Sequence, residues 1–361
     1  MVKVSEQTYS ETGGIEFGRA VGFVAGGIGD QIYHLTQLRS LAGACQTGTI
    51  DIACIHPGPI SRILAATPWV GRVIDARPIR RYVPGLRGTD TVRALRLHRY
   101  DTAFFMHRST SFKLASAFAG IRSRIGLSDG WVDNLLLTKA LPLENGGNRR
   151  KAWGHRPFIA AMDEFILNSG LHLDLKTPTI SPDRSARELT HKWMSQRQGP
   201  VFIVNMFALD EKRRWPVDAA VTTIATIATR HGGTFILNAG PDAADYHKAA
   251  MSAWRSFCKR QPMLRVDQLV DSLDDNASME RDVALYHLAD GYIGVDSFTA
   301  NLAMNCSLPA VIMFASQRDR LTYRSTVSPV VASEAGNLGS ISVDKVLTAF
   351  EKLQTGQPVN A

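Results

Sequence analysis

Four short segments carry residue types that could do chemistry. The first, Gly26-Gly27-Ile28-Gly29-Asp30, follows the apolar run Val21–Ala25 and leads into Gln31-Ile32-Tyr33-His34-Leu35. Glycines between a strand and a helix suggest a dinucleotide-binding loop. However, Ile32 stands where the third glycine of that fingerprint falls, and Cys54-Ile55-His56 ends the second strand without the acidic residue such a loop needs. Asp30 also argues against it, because a carboxylate at a helix start competes with a pyrophosphate for the helix amides. The same carboxylate suits a general base directed out of the sheet, and it equally suits an ordinary helix cap. The segment alone leaves both readings open.

The second segment is Asp210-Glu211-Lys212-Arg213-Arg214-Trp215-Pro216, three consecutive cations beside a proline that fits the first turn of a helix. Such a cluster could neutralise a departing pyrophosphate, or could be a solvated loop. The third, Leu237-Asn238-Ala239-Gly240-Pro241-Asp242, could offer Asp242 to a ribose or nucleobase, and is also ordinary turn and capping chemistry. In the fourth, Gly294-Val295-Asp296-Ser297-Phe298-Thr299-Ala300-Asn301, a strand passes to a helix through hydroxyls and free amides that could hold a phosphate. Capping by Asp296 or Ser297 is the competing reading.

The elements that must position these segments alternate. Strands are expected at Val21–Ala25, Ile50–Ile55, Arg72–Ile74 and Thr102–Met106, with helices near Asp30–Ala42, Pro59–Ala66, Thr89–His98 and Ser111–Ala119. A less regular stretch, Gly126–Gly154, precedes a helix at Arg156–Asn168. Prolines 178 and 182 mark Thr177–Asp183 as a linker. The alternation then restarts, with strands at Val201–Met206, Thr234–Asn238, Tyr292–Val295 and Ala310–Phe314, and helices at Val217–Arg230, Asp242–Lys259, Glu280–Ala289 and Ser297–Cys306. Two βα series predict two Rossmann-like parallel sheets facing one another across a cleft, with ligands outside the carboxyl ends of the strands. The expected divisions are a flexible segment 1–18, an N-terminal domain 19–177, a C-terminal domain 184–340, and a C-terminal helix and tail 341–361.

A chain of 361 residues is long enough for two cores, and 45% hydrophobic with 20% charged residues is the composition of a folded protein. The net charge of +8 favours anionic partners. Most of that excess lies between Arg72 and Arg99, where eight arginines face only Asp75 and Asp90. Arginines in this set, Arg72, Arg80 and Arg81 among them, could grip carboxylates or phosphates through paired hydrogen bonds, or could form a solvated face. No nucleic-acid-binding motif accompanies them, so nucleic acid is not expected as a partner. Cys45, Cys54, Cys258 and Cys306 are widely spaced and suggest neither a metal site nor a disulfide framework. The opening residues lack the apolar core of a signal peptide, and no apolar run is long enough to span a bilayer. A cytoplasmic protein is therefore expected, with any contact with the inner membrane peripheral.

Taken in order, the segments resemble the family-9 glycosyltransferases, which include the lipopolysaccharide heptosyltransferases. Gly29-Asp30 with Leu35 and Leu38 is similar to that family's Gly-Asp start. Ala65-Ala66-Thr67-Pro68-Trp69-Val70-Gly71-Arg72-Val73-Ile74 is similar to its Asn-Pro-x-Val-Asp-x-Val-Ile segment, and Tyr100-Asp101 and Arg122-Ser123-Arg124-Ile125-Gly126 resemble two further elements. Arg213-Arg214-Trp215-Pro216 resembles Lys-x-Trp-Pro. Asp296-Ser297 through Asn301-Leu302-Ala303, then Leu308-Pro309, resembles the Asp-Ser-Gly-x-x-His-Leu-Ala hallmark, with Phe298 at its glycine and Asn301 at its histidine.

The resemblance covers nearly the whole chain and implies a GT-B fold. It also implies an inverting, metal-independent transfer of a sugar, in the best-known case heptose from ADP-heptose, onto an acidic glycan or glycolipid. By position it makes Asp30 the base that deprotonates the acceptor hydroxyl and Arg213 the cation that stabilises the leaving diphosphate. Lys212, Arg214, Asp242, Asp296, Ser297, Phe298, Thr299 and Asn301 would surround the donor. Arg72, Arg80, Arg81 and Arg122 would lie on the acceptor domain. No cofactor beyond the nucleotide-sugar co-substrate is implied. The departures at Phe298 and Asn301 also fit a family member with a different donor or without catalysis.

Overall fold

The computed structural model describes residues 15–128, 130–141, 157–315, 327–331, 334 and 336–354. The chain separates into two units, Met1–Thr179 and Ile180–Ala361. In the first, the apolar runs become strands β1 (Ala20–Phe23), β2 (Ile50–Cys54), β3 (Val70–Asp75), β4 (Thr102–Phe105), β5 (Ser123–Leu127) and β6 (Lys139–Leu141). The stretches between them form α1 (Ile28–Ile32), α2 (Leu35–Gly43), α3 (Pro57–Leu64), α4 (Thr89–Leu97), α5 (Thr110–Phe118) and α6 (Trp131–Leu136), and α7 (Pro157–Asn168) follows. The sheet order is β3-β2-β1-β4-β5-β6, with every neighbouring pair parallel.

The second unit begins with α8 (Arg184–Met194) and continues β7 (Val201–Asn205), α9 (Val217–His231), β8 (Thr234–Leu237), α10 (Ala244–Arg260), β9 (Leu269–Asp271) and α11 (Met279–Leu288). It ends β10 (Gly291–Val295), α12 (Phe298–Asn305), β11 (Ala310–Phe314), β12 (Val327–Val331) and α13 (Val343–Gln354). Its order, β12-β11-β10-β7-β8-β9, is again fully parallel. Counted from its own first strand, it is the same doubly wound order as in the first unit.

The central strands are buried on both faces, as parallel sheets covered by helices require. Phe23 stacks on Phe105 at 5.2 Å and packs on Phe112 at 5.5 Å, so one aromatic cluster holds β1, β4 and α5 together. In the second unit Phe202, Val204, Ile293, Val311, Trp215 and Trp254 form the core. Phe350 of α13 meets Phe202 edge-on at 5.1 Å, so the C-terminal helix belongs to this core rather than trailing from it. Full burial of each such side chain is worth roughly 1.5–3 kcal/mol.

Several sequence expectations need correction. The helix expected at Asp30–Ala42 is two helices, α1 and α2, because His34 (φ −97°, ψ 11°) departs from helical geometry. The helix expected to start at Asp242 starts at Ala244, after a 3-10 turn at Pro241–Ala243. The stretch Gly126–Gly154 contains α6 and β6, and the remainder, 142–154, lies outside the described residues. Of the segment expected to be flexible, residues 1–14 also lie outside them. Phe17 is buried, pairs with Cys45, and donates its N–H to Ala44 O at 2.8 Å.

Candidate functional site

In each sheet the strand order reverses between the two central strands, β1 and β4 in the first and β7 and β10 in the second. Crevices at the carboxyl ends of such a pair are where open α/β sheets bind ligands.

In the first unit, Phe23 lies opposite Phe105, and Met106 donates its N–H to Phe23 O at 3.0 Å. The chain leaves β1 through Gly26 at φ +96°, where a Cβ would collide with the Asp30 carboxylate. Glycine is thus required there both for its backbone angle and for its missing side chain. Asp30 Oδ2 accepts the Gly27 N–H at 2.8 Å, and the side chain stays exposed. The capping reading of this carboxylate is the one the geometry bears out, since one oxygen caps the start of α1 while the side chain remains accessible to solvent. Beneath it Gln31, only 1% exposed, donates to Gly26 O at 2.8 Å and accepts the His56 N–H at 3.2 Å. Gln31 therefore fastens the loop after β1 to the loop after β2.

His107 follows β4 as Asp30 follows β1. Its Nδ1 accepts the Ser109 N–H at 3.2 Å, which leaves the proton of the neutral ring on Nε2. Burial holds His107 below the usual imidazole range. Asp30 pulls it back up, and Lys113, Arg80 and Arg108 push it down. The ring is therefore a neutral N–H donor in electrostatic contact with Asp30.

The arginines expected to form one acceptor face divide between opposite ends of the strands. Arg80 and Arg81 follow the carboxyl end of β3 and are exposed, and Arg80 acts on His107. Arg80 and Arg77 line an open groove of about 700 Å³ with Ile55, His56, Pro57, Gly58 and Pro59. Arg77 is held by both oxygens of Asp75, at 2.9 and 2.6 Å. Arg72 and Arg122 lie toward the amino ends of the strands, away from Asp30. Arg72 contacts His98 Nδ1 at 3.1 Å, and Arg122 immediately precedes β5. The remainder of β3 separates Arg72 from Arg80 and Arg81, which is why arginines close in sequence part in space.

In the second unit, Asn205 ends β7 opposite Gly294 of β10. It is 1% exposed, and its Nδ2 donates to Ser297 Oγ at 3.0 Å and Thr299 Oγ1 at 2.6 Å. Its Oδ1 accepts the Phe207 N–H at 2.8 Å. Tyr292 OH joins Thr299 Oγ1 at 3.0 Å, and Gly294 leaves the room this hydroxyl needs. Ser297 is the N-cap residue of α12, yet its side chain makes no capping bond, so among the described residues this hydroxyl does not compete for the first amides of α12. Arg213 Nη1 lies 3.2 Å from Asp296 Oδ2, bringing the cationic segment after β7 to the loop after β10.

The remaining predicted donor residues sit as follows. Lys212 is exposed. Arg214 turns back on its own loop, donating to Ala208 O at 2.8 Å and lying over the Phe207 ring at 4.7 Å. Phe298 is half-buried beside Ser297. Asn301 is 8% exposed, one turn into α12, with Nδ2 3.4 Å from Ser297 O. Asp242 is exposed in the 3-10 turn after β8 and is not joined to the Arg213–Asp296 pair by any described contact. Below that turn Asn238 is buried and bonded to Ser272, Asp282 and Tyr286. Among the described residues no group of three or more His, Cys, Asp or Glu is placed to hold a metal ion, and no helix is long and apolar enough to cross a membrane.

Gln31, His107, Asn205 and Tyr292 were not anticipated from the sequence. Asn205 and His107 did carry a signal, each being a polar residue at or just beyond the end of an apolar strand.

Two doubly wound parallel sheets with this chemistry at their switch points define a GT-B-type α/β protein, and comparison with solved structures places the fold among glycosyltransferases. The chain is similar to Escherichia coli ADP-heptose LPS heptosyltransferase II at 18% identity, with a TM-score of 0.69 over 94% of this chain and 99% of that one. It is similar to a family-9 glycosyl transferase from Veillonella parvula at 14% identity, with a TM-score of 0.71 over 97% and 100%. It is also similar to E. coli heptosyltransferase WaaC, solved with ADP-2-deoxy-2-fluoro heptose, at 12% identity, with a TM-score of 0.63 over 92% and 99%. No protein-family model and no curated protein matches the chain, so the likeness is one of fold.

Proposed function

We propose that the chain is an inverting, metal-independent glycosyltransferase that moves a sugar, heptose from ADP-heptose, onto a hydroxyl of an acidic saccharide or lipopolysaccharide-type acceptor. The observation that carries this reading is the exposed, pre-oriented Asp30 carboxylate at the switch point of the first sheet. The Arg213–Asp296 pair and the α12 amides at the equivalent point of the second sheet support it. So does the shared fold with heptosyltransferases, one of them solved with an ADP-heptose analogue.

Asp30 takes the proton of the acceptor hydroxyl as that oxygen attacks the anomeric carbon. The bond from that carbon to the diphosphate oxygen breaks on the opposite face, the electron pair leaves with the diphosphate, and the configuration inverts. Neutral His107, with a donor on Nε2 and its Nδ1 lone pair already engaged by the Ser109 N–H, leaves Asp30 as the base and orients the acceptor oxygen. Arg213, with Lys212 beside it, and the amides of Ser297 to Thr299 stabilise the charge developing on the diphosphate. Asp296 and Asn205 hold those groups in place, and Asp242 lies toward the nucleoside. Arg80, which lines the groove after β3, and its exposed neighbour Arg81 meet the carboxylates or phosphates of the acceptor.

Arg213 stands where a lysine is usual in this family, so the diphosphate meets a planar fork instead of a point charge. Phe298 and Asn301 narrow the phosphate loop and remove a titratable ring. These are the features that would favour a different nucleotide-sugar. The test is a thermal-shift panel of ADP, UDP, GDP and NAD, followed by transfer from ADP-heptose to a heptose-free lipid-linked core saccharide, read by mass spectrometry. Stabilisation by ADP and a heptosylated product support the reading. Stabilisation by NAD alone contradicts it.

A further inference from the structure

The segment after β7 forms a loop whose ends are tied together and whose middle is filled by one of its own side chains. Trp215, only 1% exposed, donates its N–H to Met206 O at 2.9 Å and so joins the two ends. Inside the loop Arg214 donates from Nε to Ala208 O at 2.8 Å and from Nη2 to Leu209 O at 3.4 Å, and its Nη1 lies 3.2 Å from Glu211 Oε1. The same guanidinium lies over the Phe207 ring at 4.7 Å and over the ring of Tyr246 on α10 at 5.7 Å. Those two rings meet edge-on at 5.6 Å. A planar fork with five donors can stack on rings and bond two carbonyls at once, which a lysine ammonium cannot.

Arg213, one residue earlier, reaches away from the loop to Asp296 Oδ2 at 3.2 Å. Its backbone belongs to the tip of the loop, where its N–H is donated to Asp210 O and that of Arg214 to Glu211 O, both at 3.0 Å. Every residue from Leu209 to Lys212 is exposed, so no packing against the core fixes the tip. The Arg214 side chain, bridging from one limb of the loop to the other and on to α10, does that instead. Adjacent arginines thus divide the work, one facing the crevice and the other bracing the backbone that carries it.

We infer that Arg214 is a positioning residue for sugar transfer: it clamps the loop after β7 so that Arg213 stays beside Asp296, and it does not meet the donor itself. This rests on the glycosyltransferase reading above. With ADP-heptose and a heptose-free core saccharide, Arg214→Lys keeps the charge and should still lower kcat about tenfold or more, as far as Arg214→Ala does. Tyr246→Leu, which removes a ring and no charge, should lower kcat too, and Tyr246→Phe should not. In an Arg213→Ala background Arg214→Lys should change kcat by less than about twofold, since the group it positions is gone. Amide hydrogen exchange over residues 207–213 should be faster in Arg214→Lys than in the wild type, with no ligand present. A wild-type kcat in Arg214→Lys overturns the inference by assigning Arg214 a role through charge. A full loss on top of Arg213→Ala overturns it by giving Arg214 its own contact with the donor. Unchanged exchange overturns the clamp whatever reaction the chain performs. A wild-type chain that transfers no sugar, with exchange raised in the variant, overturns the glycosyltransferase reading and the role in transfer with it, while the clamp stands.

Discussion

Arg213 and Asp296, 83 residues apart in sequence, meet at 3.2 Å across the two central strands of the second sheet. The pair is partly exposed, with side-chain accessibilities of 38% and 17%, so it is a positioning contact more than a source of stability. Under the proposed function it would hold a guanidinium beside the loop that leads into α12, ready for a diphosphate. Arg213→Ala should lower kcat/KM by about 100-fold or more, the scale of losing one preorganised donor to developing charge. Arg213→Lys should recover part of this, since it restores charge without the planar fork. Steady-state kinetics against the sugar donor decide it, and unchanged kinetics in Arg213→Ala would move the role to Lys212.

Asn205 joins the loop after β7 to the loop after β10 through three hydrogen bonds of 2.6 to 3.0 Å. Asn205→Leu would leave the Phe207 N–H and the Ser297 and Thr299 hydroxyls short of a buried partner, a cost of about 1–3 kcal/mol. Both a lower melting temperature and a weaker affinity for ADP are expected. A variant that loses stability and keeps its nucleotide affinity would confine Asn205 to the fold.

The Lys113–Asp133 ion pair is fully buried, so removing one partner strands a charge. Lys113→Met should cost about 3–5 kcal/mol, and Lys113→Met with Asp133→Leu should recover much of it. Denaturant titration of the three proteins measures the difference. Equal stability of single and double variants would mean that the pair is not coupled.

Burial holds His107, His247 and His287 below the ordinary imidazole value of about 6.5, and Asp271 only partly offsets this at His247. Between those depressed values and about 6.5 the unfolded chain binds more protons than the folded one. The stabilisation is therefore complete above that pH and is lost as pH falls through the window. The melting temperature at about pH 5.5 should lie below that at about pH 7.5, and His247→Asn should narrow the gap. A melting temperature that rises on acidification would contradict the assignment.

The central strands of both sheets were legible because each is a short apolar run between turn residues. The edges were harder to read. β12 contains Pro329, which argues against a strand except at an edge, and that is where it lies. β6 and β9 are three residues each, too short to show a period. Helix α8 escaped notice because only Thr190 and Met194 of its eleven residues are buried. Asp30, Arg213 and Asp296 could be picked out by residue type and local setting. Gln31, His107 and Asn205 act through partners on other strands, and strand register is not written in local sequence.

The central claim is that Asp30 removes the acceptor proton, and one substitution tests it most directly. Asp30→Asn keeps the volume of the side chain and a carbonyl oxygen to cap Gly27, so α1 and nucleotide binding should persist. With ADP-heptose and a heptose-free core saccharide, transfer should fall about 100-fold or more while ADP affinity stays within about twofold. An Asp30→Asn protein that turns over at near the wild-type rate would contradict the account.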